Sequence, residues 1–216
     1  MTERLQITAH LRGSISLPGG PMALDSMLQS AACTRDNIPP ILDGDPLREI
    51  PIPVERERGI YLASFSVAAF ETHALRYVNR RHPIEQEQTI GSPKTKRITL
   101  TTGPTKSYRI PTETGHVEHD RLDWYCIGER EAIADLLALV LYVGKKRSVG
   151  NGAVARWTAA PHEGWPGFPV VRDGKPLRPL PLDWPGLVEP ETATRGMVPP
   201  YWHHSTRQLC AVPDAH

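Results

Sequence analysis

The sequence predicts an α+β domain, and three observations carry that prediction. Residues 4–17 alternate as a strand does, with Leu5, Ile7, Ala9 and Leu11 on one side. Two stretches, 22–36 and 129–143, instead repeat apolar residues at three- and four-residue steps, the helical period. Further strand-like runs lie between and after them, so the order reads strand, helix, strand, insertion, strand, helix, loop, strand. That is the βαββαβ order of a ferredoxin-like domain.

Taken in order, the first strand ends at the turn Pro18-Gly19-Gly20-Pro21, with Gly13 as a candidate bulge. MALDSMLQSAACTRD follows as a helix whose face is Leu24, Met27, Leu28 and Ala31. Asp25 reads as a helix-start carboxylate rather than a catalytic acid. Five prolines between 36 and 58 imply an irregular crossover. GIYLASFSVAAF, 59–70, reads as the second strand, with Tyr61, Ala63, Phe65 and Val67 on one side.

Residues 71–110 change character. Between 73 and 109 eight Lys or Arg face only Glu85 and Glu87, whereas 110–140 carries seven acids against Arg121 and Arg130. The formal net charge of +1 therefore conceals a basic segment and an acidic one. Tyr77 and Tyr108 flank the basic part, where aromatics among cations suit base stacking beside phosphate contacts. A charge run is also compatible with a merely solvated face.

A strand over 122–127 is broken by Gly128 before the second helix. That helix has the stripe Ile133, Leu136, Leu137, Val140 and Leu141, with Glu129, Glu131 and Asp135 in its first turns. Gly144 reads as its left-handed cap, which puts Lys145, Lys146 and Arg147 beside the negative helix end. Gly144, Gly150 and Gly152 frame the run KKRSV. Glycines let a backbone approach a ligand, and amides plus cations can cradle phosphate. An ordinary helix–strand connection is the competing reading of the loop. Ala153–Trp157 then forms the last strand.

Residues 158–216 are rich in Pro and Trp and read as an extension packed on the domain by Trp165, Phe168 and Trp184, with a hairpin turn at Asp173-Gly174. A surface for a neighbouring subunit is the alternative. The domain is thus 1–157, with its basic insertion at about 71–110, and the extension is 158–216. Three dispersed cysteines give no disulfide framework and point to a reducing cytosol. No basic n-region with an apolar h-region opens the sequence and no apolar run nears 20 residues, so a cytoplasmic chain with neither signal peptide nor membrane contact is expected. His116-Val-Glu-His119 fits no standard ligand set, so no metal or cofactor is expected.

The run Gly144-Lys-Lys-Arg-Ser-Val-Gly150-Asn-Gly152 resembles the glycine-rich loop of RAMP proteins, the RNA-binding subunits of CRISPR systems. It keeps three glycines of that pattern and departs at Tyr142 and Asn151. Leu24-Asp25 matches the pair that opens the first RAMP helix, and the excursion between the middle strands is compatible with a thumb-like hairpin. Within the superfamily the chain is most similar to the Cas five group, and LYVGKKRSVGNGAVARW to its type IV members. The resemblance implies a non-catalytic subunit that caps the 5′ handle of the guide RNA (crRNA). It would also touch the backbone and large subunits of the effector complex, and target nucleic acid indirectly. The implied RNA contacts are Gly144, Lys145, Lys146, Arg147, Ser148, Gly150, Asn151 and Gly152 in the loop. In the insertion they are Arg76, Arg80, Arg81, Lys94, Lys96, Arg97 and Tyr108. Two other readings stand beside it. One is a metal-independent endoribonuclease acting on precursor RNA through a histidine such as His10, His73 or His82. The other is a structural adaptor that does not touch RNA.

Overall fold

The structure is a computed structural model that describes residues 1–17, 20–39, 41–42, 44–80 and 108–213. It is a mixed α and β protein. A three-stranded antiparallel sheet holds β1 (Thr2–Leu11) between β6 (Arg121–Glu129) and β7 (Val154–Pro161). Two helices, α1 (Leu24–Arg35) and α2 (Arg130–Leu137), close one side of it.

The alternation of the first strand is obeyed. Leu5, Ile7, Ala9 and Leu11 are buried, as are Leu24, Met27, Leu28 and Ala31 on α1 and Ile133, Leu136 and Leu137 on α2. Each fully buried Leu or Ile stabilises the fold by about 1.5–3 kcal/mol, so this one cluster fixes the strand register and the helix faces together.

Three expectations are corrected. Residues 59–70 do not form one strand. A short hairpin interrupts them, β2 (Arg56–Glu57) with β3 (Ile60–Tyr61), turning at Arg58 and Gly59, both at positive φ. The chain then runs along the free edge of β6 through isolated bridges Ala63–Cys126 and Val67–Asp123, joined by Val54–Gly128 from before the hairpin. Tyr61 and Ala63 are buried, but Val67 is exposed. Gly128 does not break β6; it lies within it, where a Cβ would sit 2.3 Å from the Pro53 carbonyl oxygen, so the crossover can press against the strand. Finally, α2 ends at Leu137, four residues before the predicted stripe does. The Leu139 and Val140 amides donate to Leu136 and Leu137, tightening the turn. The Val143 amide then donates to Gly152, so the chain is drawn into pairing with the start of β7. Leu141 is left 65% exposed, and the buried position falls to Val143.

The insertion begins and ends as a long hairpin, β4 (Phe70–Arg80) paired with β5 (Tyr108–Val117). The extension has its own small core, built from Val170, Val171, Leu180, Trp184, Met197 and Cys210 around Ile60 and Leu62 from the β2–β3 hairpin region. The turn at Asp173-Gly174 joins β8 (Val171–Arg172) to β9 (Lys175–Pro176), both turn residues at positive φ. The last pair is β10 (Thr192–Gly196) with β11 (Arg207–Ala211). Trp165 and Phe168 pack edge to face, and both rings meet Tyr125 of β6.

Beside these apolar contacts, a buried polar cluster joins the C-terminal residues to the rest of the chain. Arg178 is fully enclosed, and its guanidinium donates to the Tyr61, Ala63 and Met197 carbonyls, the Tyr201 hydroxyl and the Asp25 carboxylate. Tyr201 in turn donates to Asp25. Asp25 does accept from the Ser26 amide at the start of α1, but its larger role is to hold this arginine. Burial pushes the Tyr201 hydroxyl well above its ordinary pKa, so it stays a donor.

Candidate nucleic-acid interface

The glycine loop is built by its neighbours rather than by the helix before it. Residues 14–16 run beside it in extended form. The Gly152 amide donates to the Ser14 carbonyl and the Lys145 amide to the Ser16 carbonyl. Between these two, Ile15 faces the other way and exchanges both its backbone hydrogen bonds with Gly115 of β5. One three-residue segment therefore ties the glycine loop on one side and the base of the β4–β5 hairpin on the other.

The loop glycines have different duties. Gly144 has φ +78° and its Cβ would lie 2.6 Å from the Ser16 oxygen, so the positive φ is as expected but the cap is not: the residue lies well past the end of α2 and serves the contact with residue 16. Lys145, Lys146 and Arg147 are accordingly not beside the helix end. Gly152 is packed so tightly that a Cβ would fall 1.8 Å from the Val143 oxygen. Gly150 has open space around it. Between them, Arg147–Val149 form a single 3-10 turn, entered through Lys146 in the left-handed region and left through Gly150.

This arrangement sorts the loop into an outer and an inner set. Lys145, Arg147, Ser148 and Gly150 are exposed and Lys146 is half-buried. Asn151 and Gly152 are buried, with Asn151 accepting from the Ser14 hydroxyl at 3.1 Å. They support the loop from beneath. The amides of Gly150 and Gly152 are already bonded, to Arg147 and Ser14, so the outer set offers its side chains and the amides of Lys146, Arg147 and Ser148.

A groove of about 1070 Å³ opens beside the loop. Its floor is the outer side of α1, including Ser26, Ser30 and Thr34; one wall is Leu139–Tyr142 and the other is β10. Arg147 and Arg195 border it, as does one acid, Glu191. Tyr142 is exposed on the apolar wall. The turn carrying that wall is pinned by the Trp157 indole, which donates to the Val140 carbonyl at 2.9 Å.

On the hairpin, Arg76 and Tyr77 are exposed and Arg80 is opposite Tyr108 in the ladder. The Tyr77 ring is covered by the Arg109 guanidinium at 3.8 Å, a cation–π contact between neighbouring strands. Arg81, Lys94, Lys96 and Arg97 lie outside the described residues, as does His82. Reasoning from sequence missed Arg178, Tyr201 and the segment 14–16. An arginine amid prolines gives no periodic signal, and the segment's role is visible only from its hydrogen bonds.

These features define an α+β protein in which one segment holds both a cationic glycine loop and the paired strands that bracket the insertion. Residues 76–213, more than half of the chain, match the family of the CRISPR type IV associated protein Csf3, and the chain belongs to that family. It is thus a protein associated with type IV CRISPR systems. No curated protein matches it. Among the described residues no helix is long and apolar enough to cross a membrane.

Proposed function

We propose that this chain is a non-catalytic RNA-binding subunit of a type IV CRISPR effector ribonucleoprotein, of the RAMP superfamily and its Cas five group, and that it caps the 5′ handle of the guide RNA in the cytoplasm. The observation that carries the reading is the shared anchor at Ser14–Ser16, which holds the glycine loop and the hairpin base together. A cationic loop and the base of an insertion whose sequence is basic, held on one segment, suit a single polyanion that follows both. The order across the main sheet supports the RAMP assignment: residues 54–67, β6, β1 and β7 lie side by side, as the second, third, first and fourth strands of a ferredoxin-like domain do.

In this reading Lys145, Lys146 and Arg147 neutralise handle phosphates. Tyr142 and the groove beside it take an unstacked base, with the hydroxyls of Ser26 and Ser30 facing its edge. Arg76, Arg80 and the rest of the hairpin grip the adjoining nucleotides. The subunit would stand at one end of the assembly, against the backbone and large subunits, and meet target nucleic acid only indirectly.

Titration of handle RNA into the purified protein at several salt concentrations, in the absence of metal, tests this. Tight binding that weakens steeply with salt and leaves the RNA intact supports it. Cleavage at one site abolished by a single histidine change would replace it with the endoribonuclease reading. Absence of binding would replace it with the adaptor.

A further inference from the structure

The side of the main sheet away from the helices is covered near Tyr125 by Trp165 and Phe168, and at its other end, around His10, it carries an ordered array on an open surface. Leu5, Ile7 and Ala9 point to the core, so Gln6, Thr8 and His10 point the other way. The same alternation puts Arg121 and Asp123 of β6, and Arg156 and Thr158 of β7, on this open side, since Leu122, Trp124, Trp157 and Ala159 pack into the core. The registers then fix the rows. His10 is directly opposite Arg121 on one neighbour and Arg156 on the other. Thr8 is directly opposite Asp123 and Thr158.

The two guanidiniums on either side of the imidazole oppose one another and its protonated form unless an anion lies between them. Asp123 answers only one. It receives both Nε and Nη2 of Arg121, and its other oxygen receives the Thr8 hydroxyl. Among the described residues Arg156 has no carboxylate partner, and it is exposed. The β1–β7 register shifts just after His10, a bulge next to this row, the kind of irregularity that re-aims side chains. The Thr158 hydroxyl lies 3.5 Å from His10 Nε2, so a polar group already borders the space between His10 and β7.

We propose that the row Arg121–His10–Arg156 is a second anion site, which takes a phosphate of the single-stranded nucleic acid on the open side of the sheet, apart from the glycine loop. The identity of the ligand as a nucleic-acid phosphate rests on the RNA-binding function proposed above; the anion chemistry of the row does not. Arg156 supplies the free charge, His10 a ring N–H, Thr158 a hydroxyl and Arg121 its remaining guanidinium hydrogens.

His10 reports on the site. Partial burial, then Arg156 and Arg121, hold its pKa below the ordinary histidine value, with Asp123 the one group opposing them. A bound phosphate favours the imidazolium and moves that pKa upward, so anion affinity rises as pH falls through it.

The test follows the His10 ring by NMR titration, with inorganic phosphate and separately with a short uridine oligonucleotide, in the native chain and in Arg156→Glu. RNA affinity is measured in parallel for Arg156→Glu and for the triple loop variant Lys145→Ala, Lys146→Ala, Arg147→Ala. The expected result is a His10 pKa raised by both ligands in the native chain and by neither in Arg156→Glu, with RNA binding weakened at least fivefold. An effect of phosphate without one of the oligonucleotide keeps the anion site but makes free phosphate its ligand. A His10 pKa unmoved by either ligand overturns the inference, even if RNA affinity falls, because that fall would then reflect long-range charge alone. Failure of the loop variant to weaken RNA binding counts against the handle reading and leaves the His10 titration to be judged by itself. Arg156 is exposed, so its replacement leaves the fold intact; Arg156→Gln gives the same comparison should charge reversal destabilise the sheet.

Discussion

Removing Arg178 should unfasten the C-terminal extension, and the structure sets the size of the effect. The side chain is 0% exposed and paired with Asp25 at 2.9 Å. Its truncation leaves the Asp25 carboxylate buried with only the Tyr201 hydroxyl and the Ser26 amide as donors. It also strips a partner from the carbonyls of Tyr61, Ala63 and Met197. Breaking a buried ion pair by removing one partner costs about 3–5 kcal/mol, more than a third of the stability of many domains. Arg178→Ala should therefore lower the urea midpoint strongly. Arg178→Met combined with Asp25→Leu should recover part of the loss, because no uncompensated charge remains. Equilibrium urea unfolding followed by tryptophan fluorescence measures both. A loss below about 1 kcal/mol for Arg178→Ala, typical of an exposed pair, would refute the argument that this contact joins the two parts.

Other outcomes follow from local geometry. Gly150→Ala places a side chain in open space at φ +88° and should cost about 1–2 kcal/mol, the ordinary left-handed penalty. Gly152→Ala must in addition displace the Val143 carbonyl, so its urea midpoint should fall well below that of Gly150→Ala; equal midpoints would contradict the tight packing. Burial pushes the Cys126 thiol up to about 12, so it should resist alkylation at pH 8 until urea unfolds the chain, whereas half-buried Cys33 labels first. Peptide mass spectrometry reads the order.

Much of the fold was legible in the sequence because hydrophobic period reports directly on burial. The faces of β1 and α1 lie where the alternation and the helical repeat put them, and the Asp173-Gly174 turn follows from its two residue types. Period fails where tertiary pairing overrides it. Leu141 continues the stripe of α2, yet the pull of β7 on residues 140–143 ends the helix first and leaves it exposed. GIYLASFSVAAF reads as one strand, but the Arg58-Gly59 turn just before and within its start diverts the chain into a hairpin. The loop's composition pointed to phosphate chemistry without revealing which residues face outward. Asn151 and Gly152 look equivalent to Ser148 and Gly150 in sequence and differ only through hydrogen bonds to Ser14 and contact with Val143. Arg178 could not be found this way, since its five partners come from three separate stretches of chain.

The salt dependence of handle-RNA binding, measured by fluorescence anisotropy for the native chain and for the triple variant Lys145→Ala, Lys146→Ala, Arg147→Ala, tests the central claim most directly. Three lost phosphate contacts should make the plot of log affinity against log salt shallower by about 2, at roughly 0.7 per contact on a single strand. Affinity at low salt should drop at least tenfold, or about 1.4 kcal/mol. An unchanged slope and affinity in a normally folded variant would contradict the assignment of the loop to RNA.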